Sequence, residues 1–171
     1  MPTLGRETIC TRVHGAVAGL GDAYSSDAKE HSLITEFEVP SEMGNERLVM
    51  DRVVDAVADS ISGETLERLK TAVSEAAMNA IEHGNKGRSE IPVSVQVLDS
   101  DGGIRVRITD HGGGPAQTET DTPDLEAKLA GLQDPRGWGL FLIKNMVDEM
   151  HVSNDGELHT IEIVIRSDGH T

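Results

Sequence analysis

The stretch ETLERLKTAVSEAAMNAIEHG, residues 64–84, has the apolar spacing of one long amphipathic helix. The spacing predicts that this helix begins near Gly63 and ends at Gly84, a residue type that commonly follows a helix. Glu75, Asn79 and His83 lie four residues apart, on one flank of the apolar stripe. An acid, an amide and an imidazole in one row bind a metal, perform acid–base chemistry or face water, and the helix alone does not decide between these.

Regular elements are predicted on both sides of this helix. Alternating apolar residues predict strands at 32–40, 91–99 and 103–110 and two final strands near 150–154 and 158–166. The second and third of these strands are joined by SDGG, a favourable hairpin turn. Apolar stripes predict a helix through Leu48, Val49, Val53, Val54 and Val57 and another over 138–150.

The resulting element order is β, α, α, β, β, long loop, α, β, β. It predicts an α/β fold, a two-layer sandwich with a mostly antiparallel mixed sheet and about three helices on one face. Residues 31–167 would form this domain, with an N-terminal extension at 1–30 and a tail at 168–171. The long loop, 111–137, would hold at most one short helix near 123–130.

Composition limits the classes of function. Aromatic residues make up 2% of the 171 residues and the formal net charge is −15, which argues against direct nucleic acid binding. The acidity serves solubility or docking to a basic protein surface. Cys10 is the only cysteine, and no leader or membrane-spanning stretch is visible, so a cytoplasmic protein that does not enter the membrane is expected.

Two glycine-rich stretches follow the long helix. In TDHGGGP, Asp110 ends a strand and precedes Gly112, Gly113 and Gly114, and in PRGWGLFLIKN, Gly137 and Gly139 open a helix. Each stretch alone fits an ordinary turn. The P-loop and Rossmann glycine patterns are both missing from the sequence.

Taken in order, these three motifs resemble those of the GHKL ATP-binding superfamily, and most of all the bacterial anti-sigma-factor serine kinases of the RsbW type. Glu75 and Asn79 match the N-box, Asp110, Gly112 and Gly114 match the D-x-G-x-G box, and Gly137 and Gly139 match the second glycine box. The resemblance covers about residues 32–166 and implies the histidine-kinase-like ATPase (Bergerat) fold.

The resemblance also implies roles for single residues. Asn79 would hold Mg²⁺, Glu75 would act as the catalytic base, and Asp110 would accept a hydrogen bond from adenine. The glycines would allow close backbone approach to ATP, and amides at the helix start would bind phosphate. The further ATP-binding candidates are His83 and Arg136 near the phosphates and Thr160 near adenine.

The implied function is Mg–ATP-dependent phosphorylation of a serine on a STAS-domain anti-anti-sigma protein, combined with sequestration of a sigma factor. Members of this type are commonly homodimers. Two alternatives remain at this point. One is a component of a histidine-kinase-type phosphorelay, and the other is a nucleotide-switched binding module without phosphotransfer.

Overall fold

The computed structural model describes residues 31–113 and 136–167, apart from the side chains of 136 and 137. The helices are α1 (Asn45–Val57), α2 (Gly63–Asn79), which continues as a π-helical turn (Ala80–Gly84), and α3 (Arg136–Met146). The strands are β1 (Ser32–Pro40), β2 (Pro92–Ser100), β3 (Gly103–Asp110), β4 (Glu149–Asn154) and β5 (His159–Arg166).

The five strands form one sheet in the order β1-β2-β3-β5-β4. Every pairing between them is antiparallel, so within the described ranges the sheet has no parallel pair. The predicted α/β class is confirmed, and so is the predicted order of the helices and strands within the described ranges. The strands expected to be mostly antiparallel are all antiparallel in these ranges.

The helices cover one face of the sheet. Buried and half-buried positions alternate along β3, with Ile104, Val106 and Ile108 pointing into an aliphatic core. Helix α2 lies between the other two helices and packs against both. Burial of aliphatic side chains between the two layers is the main force holding such a sandwich together.

Helix α1 packs through a narrower stripe than predicted. Its buried residues are Val49, Val53 and Val57, at four-residue spacing. Leu48, which was expected in the stripe, is 40% exposed. It precedes Val49 by one position, about 100° round the helix, and this rotation carries it out of the core.

Two helix ends also differ from the predictions. The helix that includes Glu75 changes at Ala80 into a π turn, so its α-helical part is shorter than predicted. Helix α3 begins at Arg136 and ends at Met146, because Glu149 and Met150 pair with β5 as part of β4. Gly137 and Gly139 therefore lie inside the first turn of α3.

Several predicted segments fall outside the described residues. They are the extension at 1–30, the long-loop region at 114–135 with its short helix near 123–130, and the tail at 168–171. Within the described part of the chain, none of the helices has the length and apolar character needed to cross a membrane.

Candidate functional site

The acid and the amide at the end of α2 lie directly against the first turn of α3. A β-carbon placed on Gly139 would lie 2.8 Å from Glu75 Oε1, 2.8 Å from Asn79 Nδ2 and 3.1 Å from Asn79 Oδ1. Both side chains are half-buried. The structure thus brings together three residues of two motifs, and a side chain at position 139 would displace the ends of Glu75 and Asn79.

One polar atom of the Asn79 amide is left without a partner by the residues that the structure describes. Its Nδ2 atom is buried and has no hydrogen-bond partner among the described residues. A buried donor without a partner costs about 1–3 kcal/mol, and an acceptor outside the described residues would remove that cost. A neutral side-chain amide oxygen is a ligand that Mg²⁺ accepts.

The oxygen atoms of Glu75 and Asn79 near α3 fit a metal ion that is also bound by nucleotide phosphates. Among residues 31–113 and 136–167, no group of three or more His, Cys, Asp or Glu side chains is placed to hold a metal ion. Mg²⁺ commonly uses one or two protein oxygens, several waters and nucleotide phosphates. Asn79, with Glu75 beside it, agrees with that mode and not with an all-protein metal cage.

A second cluster surrounds Asp110, at the end of β3. This residue is 2% exposed, and its Oδ1 atom accepts a hydrogen bond from the Gly112 backbone N–H at 2.8 Å. Its Oδ2 atom lies 3.0 Å from Nδ1 of His159, the residue that pairs with it on β5. Gly84 packs its backbone against the same carboxyl group.

The backbone around this carboxyl group is closely packed. A β-carbon on Gly112 would lie 2.6 Å from both the Cα atom and the carbonyl oxygen of Gly84. A β-carbon on Gly113 would lie 2.2 Å from the carbonyl oxygen of Gly156, in the β4–β5 turn. The N-box helix, the glycine segment after β3 and the β4–β5 turn therefore meet around one buried acid.

Asn85, which sequence reasoning missed, holds this end of the fold together. It is fully buried, and its Nδ2 atom donates to Ser41 Oγ at 2.9 Å and to the carbonyl oxygens of Ile91 and Pro92 at 3.2 and 3.1 Å. Its Oδ1 atom accepts the His111 backbone N–H at 2.8 Å. An asparagine after a helix is common at helix ends, so periodicity gave no signal for this network.

His159 was also missed, since the candidate that the sequence indicated on this strand was its neighbour Thr160. Thr160 pairs with Thr109, and the two hydroxyl oxygens lie 2.9 Å apart. Because side chains alternate along strands, these two residues face away from Asp110, while His159 faces toward it. The structure therefore places His159, and not Thr160, beside Asp110, and a contact of Thr160 with adenine stays a prediction.

The remaining candidates are less fully defined. His83 lies in the π turn, where 37% of its side chain is exposed. Arg136 and Gly137 occupy the first two positions of α3, and the Arg136 side chain lies outside the described part of the chain. Gly114 also lies outside it.

Comparison with known families identifies the class of protein. The sequence profile of the histidine kinase-like ATPase domain matches residues 39–165. The chain belongs to this family, and the resemblance inferred from its three motifs is confirmed.

Individual relatives carry more specific names. The serine-protein kinase RsbW of Listeria monocytogenes serotype 4a (strain HCC23) is 31% identical over 97 residues, which cover 55% of this chain and 62% of that protein. The match therefore spans less than two thirds of the Listeria protein. The anti-sigma F factor of Clostridium botulinum (strain Eklund 17B / Type B) is 30% identical over 118 residues, covering 65% of this chain and 71% of that factor.

A solved structure shares the fold. The crystal structure of the RsbU and RsbW domains of a Mycobacterium tuberculosis protein superposes with a TM-score of 0.55 and 18% sequence identity. The superposition covers 77% of this chain and 32% of that chain. At this identity the similarity concerns the fold alone.

Proposed function

We propose that this chain is a Mg²⁺- and ATP-dependent protein serine kinase that also acts as an anti-sigma factor. The observation that carries the proposal is the close approach of Glu75 and Asn79 to Gly139. A β-carbon on Gly139 would lie 2.8 Å from a polar atom of each side chain. A proton acceptor and a neutral metal ligand beside a helix start are groups that phosphoryl transfer uses. The Listeria relative is a serine-protein kinase by name and the Clostridium relative is an anti-sigma factor by name, and these support the two parts of the proposal.

Different site residues would bind the adenine, the phosphates and the Mg²⁺ ion of Mg–ATP. Asp110 would accept a hydrogen bond from the exocyclic amine of adenine. The backbone amides at the start of α3, in residues 136–139, would donate to phosphate oxygens, and the helix dipole favours anions there. Asn79 would hold Mg²⁺, which supplies neutralisation of the phosphate charge when bound.

Glu75 is the residue best placed to accept a proton. It lies one helical turn before Asn79, about 5–6 Å away along the same face. In the proposed reaction, a serine oxygen of the substrate bonds to the γ-phosphorus of ATP, and the bond from that phosphorus to the bridging oxygen breaks. ADP leaves, and Glu75 takes the serine proton.

The partners follow from the same proposal. The phosphorylated serine would belong to a STAS-domain anti-anti-sigma protein, and a sigma factor would be held when that antagonist is absent or phosphorylated. A net charge of −15 favours docking to basic sigma surfaces that otherwise face DNA. The working unit would be a homodimer.

The kinase activity is tested by incubating the purified chain with Mg²⁺, γ-labelled ATP and an extract of its source organism. We expect label on a serine of a small protein, and a loss of about 100-fold or more in labelling by Glu75→Gln with ATP binding retained. Asn79→Ala should lose Mg²⁺-dependent ATP binding. Glu82→Gln, which changes a partly exposed acid in the adjoining π turn, is the matched control and should label normally.

Two outcomes contradict the kinase proposal, and a third contradicts only the role given to Glu75. ATP binding that Asn79→Ala abolishes, without labelling of any protein, identifies a nucleotide-switched binding module. Label on histidine or aspartate identifies a phosphorelay component. Equal labelling by the wild type and by Glu75→Gln shows that Glu75 is not the catalytic base. The anti-sigma role fails separately if sigma factors form no complex with the chain on sizing and their transcription is unchanged.

A further inference from the structure

We infer that His159 is a positioning residue for nucleobase recognition, which holds the Asp110 carboxylate in the orientation that selects an adenine base. The inference rests on the proposed ATP-binding function and adds to it a residue outside the three sequence motifs. It starts from one contact, in which His159 Nδ1 lies 3.0 Å from Asp110 Oδ2.

The proposed role of Asp110 as an acceptor sets the direction of the hydrogen bond. An ionised carboxylate only accepts hydrogen bonds, so the Nδ1 atom of His159 must carry the hydrogen and donate it. The pair is sheltered from water, since 3% of the Asp110 side chain and 21% of the His159 side chain are exposed. A hydrogen bond to a charged group in such surroundings is worth more than one at the surface.

The carboxyl group is held on three sides. The Gly112 N–H occupies one lone pair of Oδ1, at 2.8 Å, and His159 occupies one lone pair of Oδ2. Gly84 packs against the group from the N-box helix. Each oxygen keeps a second lone pair, so the acid is locked in one orientation and still has acceptor capacity for a ligand.

This arrangement favours a ligand that offers N–H donors. The exocyclic amine of adenine is such a donor, whereas guanine presents a carbonyl oxygen at the same ring position. Two facing acceptors repel each other, so a fixed carboxylate selects ATP over GTP. Without His159 the carboxylate loses one of its two donors and can rotate, and the selection weakens.

The register of the sheet explains why His159 and not its neighbour has this position. Asp110 pairs directly with His159, and Thr109 pairs directly with Thr160. Directly paired residues share a face of the sheet, and their β-carbons lie about 5 Å apart. The imidazole therefore reaches the carboxylate across the β3–β5 pair.

Two substitutions at position 159 separate positioning from simple space-filling. Asparagine places an N–H donor at the δ position, as His159 does, whereas glutamine places its donor one bond further out. We expect His159→Ala and His159→Gln to lose about tenfold in ATP affinity, which corresponds to one hydrogen bond to a charged group, and His159→Asn to retain most of it. GTP affinity should change little in all three.

The experiment measures ATP and GTP affinities by calorimetry on the full chain, with melting temperatures recorded for each variant. His151→Ala is the matched control, because His151 lies on the face of the sheet that Thr160 shares and its side chain is 60% exposed. In a double-mutant cycle, His159→Ala should have little further effect in an Asp110→Asn background, since His159 acts through the carboxylate.

The outcomes distinguish this inference from the function on which it rests. If the wild type binds neither nucleotide, the proposed function fails. If the wild type prefers ATP and His159→Ala lowers both affinities equally, or lowers only the melting temperature, His159 is structural and the inference is overturned. A fall in the ATP-to-GTP preference that His159→Asn restores supports it.

Discussion

Gly84 lies so close to Asp110 that a β-carbon on Gly84 would fall 2.2 Å from Asp110 Cγ. The last residue of the π turn is thereby fitted to the acid at the end of β3, although the two are far apart in the sequence. No real β-carbon is found at such a distance, so one of the two groups would have to move if Gly84 carried a side chain.

Replacing Gly84 with alanine should therefore displace the Asp110 carboxylate. We expect Gly84→Ala to weaken ATP binding by about tenfold or more, because the carboxylate loses its alignment with Gly112 and His159. It should also lower the stability by about 1–3 kcal/mol, since the site is closely packed. Calorimetry with ATP and a denaturant titration measure the two effects.

Gly63→Ala is the control for a glycine substitution without a clash. Gly63 has φ +60°, and nothing lies within 4 Å of the position that a β-carbon would take, so alanine there costs backbone strain of about 1–2 kcal/mol and no contact. Its ATP affinity should equal that of the wild type. Equal ATP affinities for the Gly84 variant and the wild type would show that Asp110 does not need its observed position.

Gly139→Ala should separate activity from stability. A β-carbon there would meet the ends of two side chains, Glu75 Oε1 and Asn79 Nδ2, both at 2.8 Å. These ends can rotate away at little cost, and alanine is favoured over glycine in a helix by about 1 kcal/mol. We expect unchanged or slightly raised stability, with phosphotransfer reduced about 100-fold.

The measurement pairs a thermal melt with the labelling assay at saturating ATP. A variant that is destabilised as strongly as it is inactivated would indicate that Gly139 is needed for folding alone. A fully active variant would show that the acid and the amide act from positions other than the ones observed.

Much of this arrangement could be predicted from sequence because it follows from local periodicity. The four-residue spacing of Glu75 and Asn79 is a property of an α-helix, and the alternation along 103–110 sets which side of β3 is buried. The resemblance to the ATP-binding family then assigned Asn79 and Gly139 to the same nucleotide site. These features depend on neighbours within a few residues.

The parts that were missed depend on contacts between distant residues. Adjacent residues of β5 point to opposite faces of the sheet. His159 therefore shares the face of Asp110, whereas Thr160, one residue later, does not. The π turn at Ala80–Gly84 includes an Asn85 N–H to Ala80 carbonyl bond of 2.8 Å. It is stabilised by the tertiary hydrogen bonds of the Asn85 side chain, which a pattern within α2 does not contain.

Asn85→Ala should be one of the most destabilising polar substitutions in the chain. It removes the acceptor of the His111 N–H and one of the two hydrogen-bond partners of Ser41 Oγ, and the Pro92 carbonyl loses its Asn85 donor. We expect a loss of about 3 kcal/mol in the free energy of unfolding, measured by urea titration. Ser41→Ala removes one member of the same network and should cost about 1 kcal/mol.

A small effect of Asn85→Ala, below that of Ser41→Ala, would contradict this view of the network. Nucleotide binding gives a second readout. Because His111 and Gly112 are adjacent, loss of the Asn85 contact should also weaken ATP binding, whereas Ser41→Ala should leave it nearly unchanged.

The turn between β4 and β5 contains a carboxylate, Asp155, that should make the stability of the fold depend on pH. The Asp155 carboxylate accepts backbone N–H bonds from Leu158 at 2.7 Å and from Glu157 at 3.0 Å. These bonds, the one from Leu158 first, lower the pKa of Asp155 below its ordinary value. The neighbouring Gly156 carbonyl contacts Gly113, so the turn forms one wall of the Asp110 cluster.

The direction of the pH effect follows from that lowered pKa. A carboxylate with a lowered folded-state pKa stabilises the fold above its unfolded pKa, and the contribution is lost as pH falls through the folded value. Asp155→Asn keeps an acceptor oxygen but no charge. The melting temperature of the wild type should therefore exceed that of Asp155→Asn at neutral pH, and the difference should shrink below about pH 4. A difference that stays constant with pH would show that the charge of Asp155 contributes nothing, and the turn would then depend on the shape of its side chain alone.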